Sequence, residues 1–326
     1  MDLAAVASLL ASSAKAAKKA TLRKNNADKD KAKRGKKRDP TDTDGAESAH
    51  DVRSIALVDR PSIVILAYAS RPSLRSACTR LSTFLEDAKW AGSVMHDVPT
   101  SDAACAAARY SGHNFTAADV ERFVQAVESA NLQLGDDEAE LVRRVRHVVT
   151  ERANSTDPGD GTVALVAVSA TGLATDELAS TLVHETMHGI FETESCVRAF
   201  VQEFWDDKMT ARGRAVWRDW LHGLGYNARC DDRLAMNELL AYLSTEPYGR
   251  PLWMLGGGRR RGEGGDGSGE PLFEGDPGGG TDGEALTRLR DVFVLRAKDA
   301  IPQPHPVAGP GAKARCVWDG ARNGSS

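Results

Sequence analysis

The chain has 326 residues, of which 41% are hydrophobic and 27% are charged, a composition typical of a folded globular protein. Its net charge of −4 argues against a protein that is basic throughout, as a general nucleic-acid binder would be. No apolar stretch reaches the length of a membrane-spanning helix. Five widely spaced cysteines without a CxxC pair argue against a disulfide scaffold and against a thiolate zinc site.

The first 51 residues are predicted to form a disordered basic tail. Residues 1–39 contain 12 lysines and arginines against 4 acidic residues, a net charge of +8, so the rest of the chain carries −12. Residues 11–51 have no large apolar side chain beyond Leu22 and cannot build a core. The run "KDKAKRGKKR" is typical of nuclear-import and nucleic-acid-binding segments, and equally of solvated tails. We expect nucleic acid to bind only through this tail, if it binds at all.

Three features bear on the location of the protein. The cysteine usage favours a reducing compartment, and the basic run is compatible with either the cytoplasm or the nucleus. A secretory signal carries positive charge before its apolar segment, whereas Asp2 precedes the short apolar run here. The segment between Asp2 and Asp28 contains the first basic residues and no acidic residue, so an organellar transit peptide stays an alternative. We therefore expect an intracellular protein.

Three stretches of the sequence predict β-strands. "RSIALVD" and "SIVILAYA", which follow Val52, are rich in β-branched residues, and "TVALVAVSA", within 162–170, is almost unbroken in apolar and small residues. If the strand at 162–170 lies at an exposed edge of the sheet, it could pair with an extended peptide.

Apolar residues at helical spacing predict most of the remaining elements. Thr116 is the predicted N-cap of one helix, because Phe115 and Val120 occupy the two positions of a hydrophobic staple around it. The other predicted helices cover residues 73–89, 136–152, 212–223 and 284–300, with two more that begin at about Thr175 and Asp232.

Two segments are predicted to be flexible. Residues 255–283 are a glycine-rich stretch of low complexity, and residues 301–326 form a Pro/Gly-rich C-terminal tail. The folded domain is therefore predicted to run from 52 to 300, with the glycine-rich stretch as a flexible loop within it.

The decapeptide "LVHETMHGIF", residues 182–191, contains two histidines that flank a glutamate inside an apolar run. Positions i and i+4 of a helix lie on one face, so His184 and His188 can bind one ion together. Glu185 lies beside them, where its carboxylate can reach a water on that ion. Two neutral imidazoles and a proton-accepting carboxylate are the groups that zinc-dependent hydrolysis requires. The alternative is a chance match, with both histidines hydrogen-bonded in a core.

A third ligand must complete such a site. The metzincin pattern requires glycine and histidine three and six residues after the second histidine, where this chain has Phe191 and Glu194. Glu238, in "NELLAYL", lies on a separate apolar helix where an unpaired carboxylate is costly, and it is our preferred ligand. Glu192 and Glu194 on the helix of the motif, and His222 in "WLHGLGY", stay open as alternatives.

"HETMHGIF" followed about fifty residues later by "NELLAYL" resembles the gluzincin-type zinc metallopeptidases, in which HExxH is completed by a glutamate from a downstream helix. The resemblance covers about residues 160–246. It implies that one Zn²⁺ ion is bound by His184, His188 and Glu238, and that Glu185 is the general base. The elements and the resemblance together predict an α+β fold, a zincin-like metallopeptidase domain that is mostly helical with a small mixed sheet.

The predicted function is zinc-dependent hydrolysis of peptide bonds in a peptide or protein substrate, in the manner of an endopeptidase. Tyr242 lies one helical turn after Glu238 and is the predicted donor to the oxyanion, with Tyr226 and His222 as alternatives. A histidine ligand usually donates its second N–H to a carboxylate or carbonyl oxygen, and Asn237 is one candidate acceptor. The other two candidate acceptors are Glu192 and Glu194.

Two other functions fit parts of the sequence. In the first, His222 replaces Glu238 as the third ligand, and the basic tail directs a protease to DNA-bound proteins, in which case the chain resembles the SprT-like proteases. In the second, the zinc is structural, or the chain is a decayed peptidase that acts as a binding module. The presence of Glu185 argues against a structural or binding role, because a site that only holds an ion needs no carboxylate at that position.

Overall fold

The computed structural model describes residues 52–57, 60–97, 111–154, 161–245, 271–278, 282–300 and 315–319. The predicted basic tail, most of the predicted glycine-rich loop and most of the predicted C-terminal tail lie outside the described residues. The described chain has an α+β fold that is mostly helical and contains a small mixed sheet, which confirms the predicted fold class.

The central sheet has the strand order β3-β4-β2-β1, and a short C-terminal strand, β5, pairs with the free side of β1. Strands β2 and β4 are parallel, and the other pairs are antiparallel. Because β4 is paired on both sides, it is not an exposed edge, and the condition for pairing a peptide with this strand is not met. The strands are β1 (Val52–Leu57), β2 (Arg60–Tyr68), β3 (Gly112–Thr116), β4 (Ala164–Ser169) and β5 (Arg315–Asp319).

The sheet is covered by helices on both faces. The helices are α1 (Arg71–Glu86), α2 (Ala117–Ser129), α3 (Asp136–Ala153), α4 (Thr175–Thr193), α5 (Ser195–Glu203), α6 (Ala211–Leu224), α7 (Asp232–Thr245) and α8 (Asp282–Ala300), and a π-helical turn, Phe204–Lys208, follows α5. Helices α1–α3 pack on one face of the sheet, and α4–α8 pack on the other.

The unbroken apolar sequence of β2 follows from this three-layer arrangement. Successive residues of a strand point to opposite faces. Ile63 and Ile65 therefore belong to the core beneath α4–α8, whereas Val64 and Leu66 belong to the core beneath α1–α3. Strands buried on both faces have continuous runs of apolar residues instead of an alternating pattern.

Local sequence signals define several helix ends. Thr116 is the N-cap of α2, as predicted: its side chain accepts the N–H of Asp119, and the Asp119 carboxylate accepts the N–H of Thr116. Helix α6 ends at Gly225, which has a left-handed φ of 106° that favours glycine. These caps fix where α2 leaves the sheet and where the chain turns from α6 toward the site.

Some elements were not predicted from the sequence. Strand β3, helix α5 and the π-helical turn are the main ones. In addition, residues 271–278, which belong to the predicted glycine-rich loop, pack against the start of α6, with Leu272 and Phe273 buried. The backbone N–H of Thr210 donates to the carbonyl of Leu272 over 3.0 Å, which fastens this segment to the helix.

Among the described residues, no helix combines the length and the apolar character that a membrane span needs.

Candidate metal centre

The two histidines of the motif lie on one face of α4, the helix that follows β4 and packs directly on the sheet. The Nε2 atoms of His184 and His188 face each other over 3.2 Å. Two nitrogen ligands about 2.05 Å from a tetrahedral zinc ion are separated by about 3.3 Å, so this spacing suits a shared ion. His188 is buried, and the His184 side chain keeps 16% of its surface exposed.

Glu238 reaches both rings from α7. Its Oε2 lies 3.8 Å from Nε2 of His184, and its Oε1 lies 3.8 Å from Nε2 of His188. The ligand atoms of these three residues all lie within 4.8 Å of one another. Glu238 is 1% exposed, and within the described part of the chain its Oε2 has no hydrogen-bond partner. A buried carboxylate oxygen without a partner is costly, and a metal ion would supply one.

Residues of α7 form hydrogen bonds with Nδ1 of each imidazole, the nitrogen that faces away from the centre. Nδ1 of His188 lies 3.0 Å from Oδ1 of Asn237, and Nδ1 of His184 lies 3.3 Å from Oγ1 of Thr245. The Thr245 hydroxyl donates to the carbonyl of Ala241, so its oxygen accepts from His184. Both rings therefore carry their proton on Nδ1 and turn an unprotonated Nε2 toward the centre, which is the form that binds a metal.

Burial keeps both imidazoles neutral. It lowers the pKa of His188 to about 4, against a smaller opposing effect of the hydrogen bond with Asn237. Burial, and after it the neighbouring charge of His188, lowers the pKa of His184 well below its usual value. Neutral imidazole is the metal-binding form, so at neutral pH no proton has to leave the rings before an ion binds.

Glu185 lies next to this group but outside it. Its carboxylate accepts a hydrogen bond from the side-chain amide of Asn114 on β3 over 3.3 Å. Gly112, also on β3, permits this approach, because a Cβ atom there would lie 2.7 Å from Cγ of Glu185. Burial raises the pKa of Glu185 to about 8, and the bond with Asn114 opposes this rise. A carboxyl group whose pKa lies near the working pH is suited to proton transfer in either direction.

Aromatic side chains form one wall of the centre. The ring of Tyr242 packs edge-on against His184 with a centroid distance of 4.7 Å, and Trp220 packs against Tyr242 at 4.9 Å. A hydrogen bond with Tyr226 reaches the Tyr242 hydroxyl, whose pKa is raised above its usual value mainly by burial. Tyr226 also hydrogen-bonds Glu238, which opposes the effect of burial on the pKa of that carboxyl group. Tyr242, the preferred predicted donor, is therefore in contact with Tyr226, one of the two alternatives.

The remaining candidate ligands have other partners. Glu192 pairs with Arg233, and Glu194 pairs with Arg60 over 2.6 Å. Nδ1 of His222 lies 3.4 Å from the backbone carbonyl of Tyr226. Within the described residues, the group that could hold a metal consists of His184, His188 and Glu238, and none of these three alternatives belongs to it.

Sequence reasoning did not identify Thr245, Asn114 or Glu86 at this centre. Thr245 lies seven residues, about two turns, after Glu238, so it occupies nearly the same face of α7, and helical periodicity could have indicated it. Asn114 and Glu86 come from β3 and from the end of α1, and no local pattern connects those segments to the motif.

Comparison of the chain with protein-family models, with curated proteins and with solved structures gives no match.

Proposed function

We propose that the chain is a zinc-dependent metallopeptidase that hydrolyses peptide bonds in a peptide or protein substrate. The observation that carries this proposal is the convergence of His184, His188 and Glu238 beside the buried carboxylate of Glu185. Catalytic zinc sites use three protein ligands because the remaining position is kept for water or substrate. A zincin-like domain with a gluzincin-type ligand set is part of the same proposal.

The donor set suits zinc better than it suits a hard cation. Two imidazole nitrogens and one carboxylate match the preferences of zinc, whereas Mg²⁺ and Ca²⁺ prefer oxygen ligands throughout. When bound, zinc lowers the pKa of a coordinated water toward neutrality and polarises a carbonyl group. His188 and Glu238 are buried and His184 is largely so, which is consistent with an ion that stays with the protein.

We assign proton transfer to Glu185. It shares α4 with both histidines, and its bond to Asn114 fixes the carboxylate between the helix and β3. A carboxylate in this position accepts a proton from water during attack and returns it to the amine that leaves. Such a general base typically contributes a factor of about 10² to 10⁴ to the rate.

We assign stabilisation of the developing oxyanion to Tyr242. Its hydroxyl group stays protonated at all physiological pH values, because burial raises its pKa, so it remains a hydrogen-bond donor. Tyr226 is the second candidate, since its hydroxyl group is shared between Tyr242 and Glu238. We expect the pair to act together, with Tyr226 orienting Tyr242.

An extended peptide is the substrate shape that the sheet favours. In the described part of the chain, β3 pairs with β4 on one side and has no strand on the other. Asn114 and Gly112 of β3 contact Glu185, so a peptide that paired with the outer side of β3 would pass close to the proposed base. Backbone hydrogen bonds of this kind can form with peptides of many sequences, and pockets for the peptide side chains then select among those peptides.

Hydrolysis of a peptide library tests this proposal. Purified full-length protein loaded with zinc should cleave library peptides, as detected by mass spectrometry, and a chelator should stop the reaction. Glu185→Gln should keep its zinc and lose about 100-fold or more of the activity, because the base is removed but no ligand is. A wild-type protein that binds one zinc ion and cleaves no peptide would favour a structural or binding role instead.

A further inference from the structure

Of the three proposed metal ligands, His184 is the one that solvent reaches. The side chains of His188 and Glu238 each keep 2% of their surface exposed, whereas the His184 side chain keeps 16%. Within the described part of the chain, a substrate therefore approaches the ion past the ring of His184. Tyr242 packs edge-on against that ring with a centroid distance of 4.7 Å and is itself partly exposed. The side chains around Tyr242 are therefore placed to contact the substrate.

Trp220 of α6 continues this aromatic wall away from His184. Its ring packs against Tyr242 with a centroid distance of 4.9 Å and an interplanar angle of 78°, which repeats the edge-on geometry of Tyr242 on His184. The two centroid distances, 4.7 and 4.9 Å, place the ring centre of Trp220 no more than 9.6 Å from that of His184. An extended peptide advances about 3.3 Å per residue, so Trp220 lies within about three residues of a peptide bond at the ion.

The two tryptophans of α6 have different environments. Trp217 is fully buried, and its Nε1 donates to the carbonyl of Ala235 over 2.9 Å. Trp220 is only partly buried, and its Nε1 has no hydrogen-bond partner among the described residues. Buried tryptophan N–H groups usually have a partner. Within this part of the chain, therefore, no hydrogen bond fixes the ring of Trp220, and the ring can adjust to a bound side chain.

We propose that Trp220 is a specificity-determining residue, which selects peptides with an aromatic side chain within about three residues of the cleaved bond. This inference rests on the proposed peptidase function and adds the class of substrate to it. An aromatic side chain on the partly exposed ring of Trp220 extends the edge-on series of His184, Tyr242 and Trp220 by one more ring. Pairs of aromatic rings gain stabilisation beyond that of the apolar surface they bury.

Four matched peptides test the inference. They carry phenylalanine, cyclohexylalanine, alanine or lysine at one position, which is placed in turn at each of the residues around the cleaved bond. Cyclohexylalanine has the size of phenylalanine without its π-system. We expect the zinc-loaded protein to cleave the best phenylalanine peptide with a kcat/KM about tenfold or more above that of the alanine peptide. The advantage over cyclohexylalanine should be about two- to tenfold.

Two results with these peptides would contradict the inference. Equal kcat/KM values for phenylalanine and cyclohexylalanine at every position would mean that the ring of the substrate is not recognised as aromatic. A lysine peptide that is cleaved as well as the phenylalanine peptide would indicate that Trp220 binds a cation over its face instead.

Variants at Trp220 identify the residue responsible. Trp220→Ala should remove the preference for phenylalanine over alanine, whereas Trp220→Phe, which keeps a ring, should retain most of it. Phe200→Ala is the matched control, because Phe200 is a partly exposed residue of α5 whose ring contacts Phe204 and Phe293. It should leave the preference unchanged. A structural defect lowers the cleavage of all peptides alike, so an unchanged preference in Trp220→Ala would overturn the inference.

A binding measurement separates this inference from the proposed activity, and it does not require Trp220→Ala to fold. Zinc-loaded Glu185→Gln protein is labelled with fluorotryptophan and followed by fluorine NMR, with Trp220→Phe added to assign the signal of Trp220. The phenylalanine peptide should shift this signal, and the alanine peptide should not. A Trp220 signal that both peptides move equally, or that neither moves, would contradict the role of Trp220. Absence of cleavage by the wild type contradicts the proposed function alone.

Discussion

Asn237 accepts a hydrogen bond from Nδ1 of His188 over 3.0 Å. The next residue in the sequence is Glu238, which faces the opposite nitrogen of the same ring at 3.8 Å. Two consecutive residues of α7 thus hold both sides of one imidazole. The hydrogen bond sets the tautomer and orientation of the ring, and the carboxylate completes the group that could hold a metal.

Replacement of Asn237 should weaken metal binding without removing a ligand. In Asn237→Ala the ring of His188 loses its acceptor, and we expect zinc affinity to fall by about 10- to 100-fold. Asn237→Asp retains an acceptor oxygen and should stay close to the wild type. Competition with a fluorescent chelator measures both affinities. Equal affinity in Asn237→Ala and the wild type would mean that the hydrogen bond does not orient the ring.

The identity of the third ligand can be decided by comparing Glu238→Ala with His222→Ala. Loss of Glu238 leaves two histidines, so bound zinc should disappear from the protein in native mass spectrometry. The melting temperature of this variant should no longer rise with zinc, whereas a ligand at 100 times its Kd stabilises a protein by about 2.7 kcal/mol. His222→Ala should keep both zinc and the stabilisation. The reverse pattern would favour the SprT-like alternative.

The stability of the metal-free protein should fall as the pH rises from 6.5 to 8.5. The carboxyl groups of Glu86 and Glu185 have pKa values of about 8 in the folded protein, above their ordinary values. The folded state therefore binds more protons than the unfolded state up to about pH 8, and each group costs stability as it ionises. We expect a loss on the order of 1–2 kcal/mol per group over this window.

The two histidines act in a different pH range. Their pKa values are lowered, so they reduce stability only as the pH falls below about 6.5, where the unfolded chain takes up protons first. Thermal melts in a chelator at pH 6.5 and 8.5 measure mainly the effect of the buried carboxyl groups, because the histidines contribute only a small opposing gain near pH 6.5. The loss should be smaller in Glu185→Gln. A stability that rises between these two pH values would contradict the assignment.

Two glycines of α6 form a matched pair for testing how residues 271–278 pack. A Cβ atom at Gly213 would lie 1.9 Å from the carbonyl oxygen of Leu272, whereas a Cβ atom at Gly223 would meet nothing within 4 Å. Gly213→Ala should therefore lower the free energy of unfolding by about 2 kcal/mol or more, since backbone must move. Gly223→Ala should be neutral or stabilising, because alanine favours a helix by up to about 1 kcal/mol. Chemical denaturation of both variants measures the difference, and equal stabilities would mean that the segment does not pack on α6.

The features that local rules govern could be predicted from the sequence. The i and i+4 spacing is sufficient to place His184 and His188 on one face of a helix, and a carboxylate in an apolar helix indicated Glu238 as a partner. Thr116 was predicted as a cap because its hydrogen bonds involve neighbours only three residues away. Each of these inferences depends on a short stretch of chain.

The features that the sequence did not indicate depend on distant segments. The five residues of β3 include a histidine and an asparagine, and the strand exists because it pairs with β4, about fifty residues later. The end of α1, which contains Glu86, lies near the centre only because its backbone is joined to the turn after α6. The sequence also left open whether β4 lies at an edge, since its unbroken apolar run indicates burial on both faces but not which strands pair with it.

An ion held by His188 and Glu238 would be a cross-link between positions 188 and 238 of the chain. It would close a loop that contains α5, the π-helical turn and α6, and so restrict the unfolded chain much as a disulfide does. Such a link would be reversible, because chelation opens it and added metal restores it. The supply of metal would therefore control how readily this part of the chain opens. Bound metal should slow amide hydrogen exchange in α5 and α6, which gives a measure of the ion that does not depend on activity.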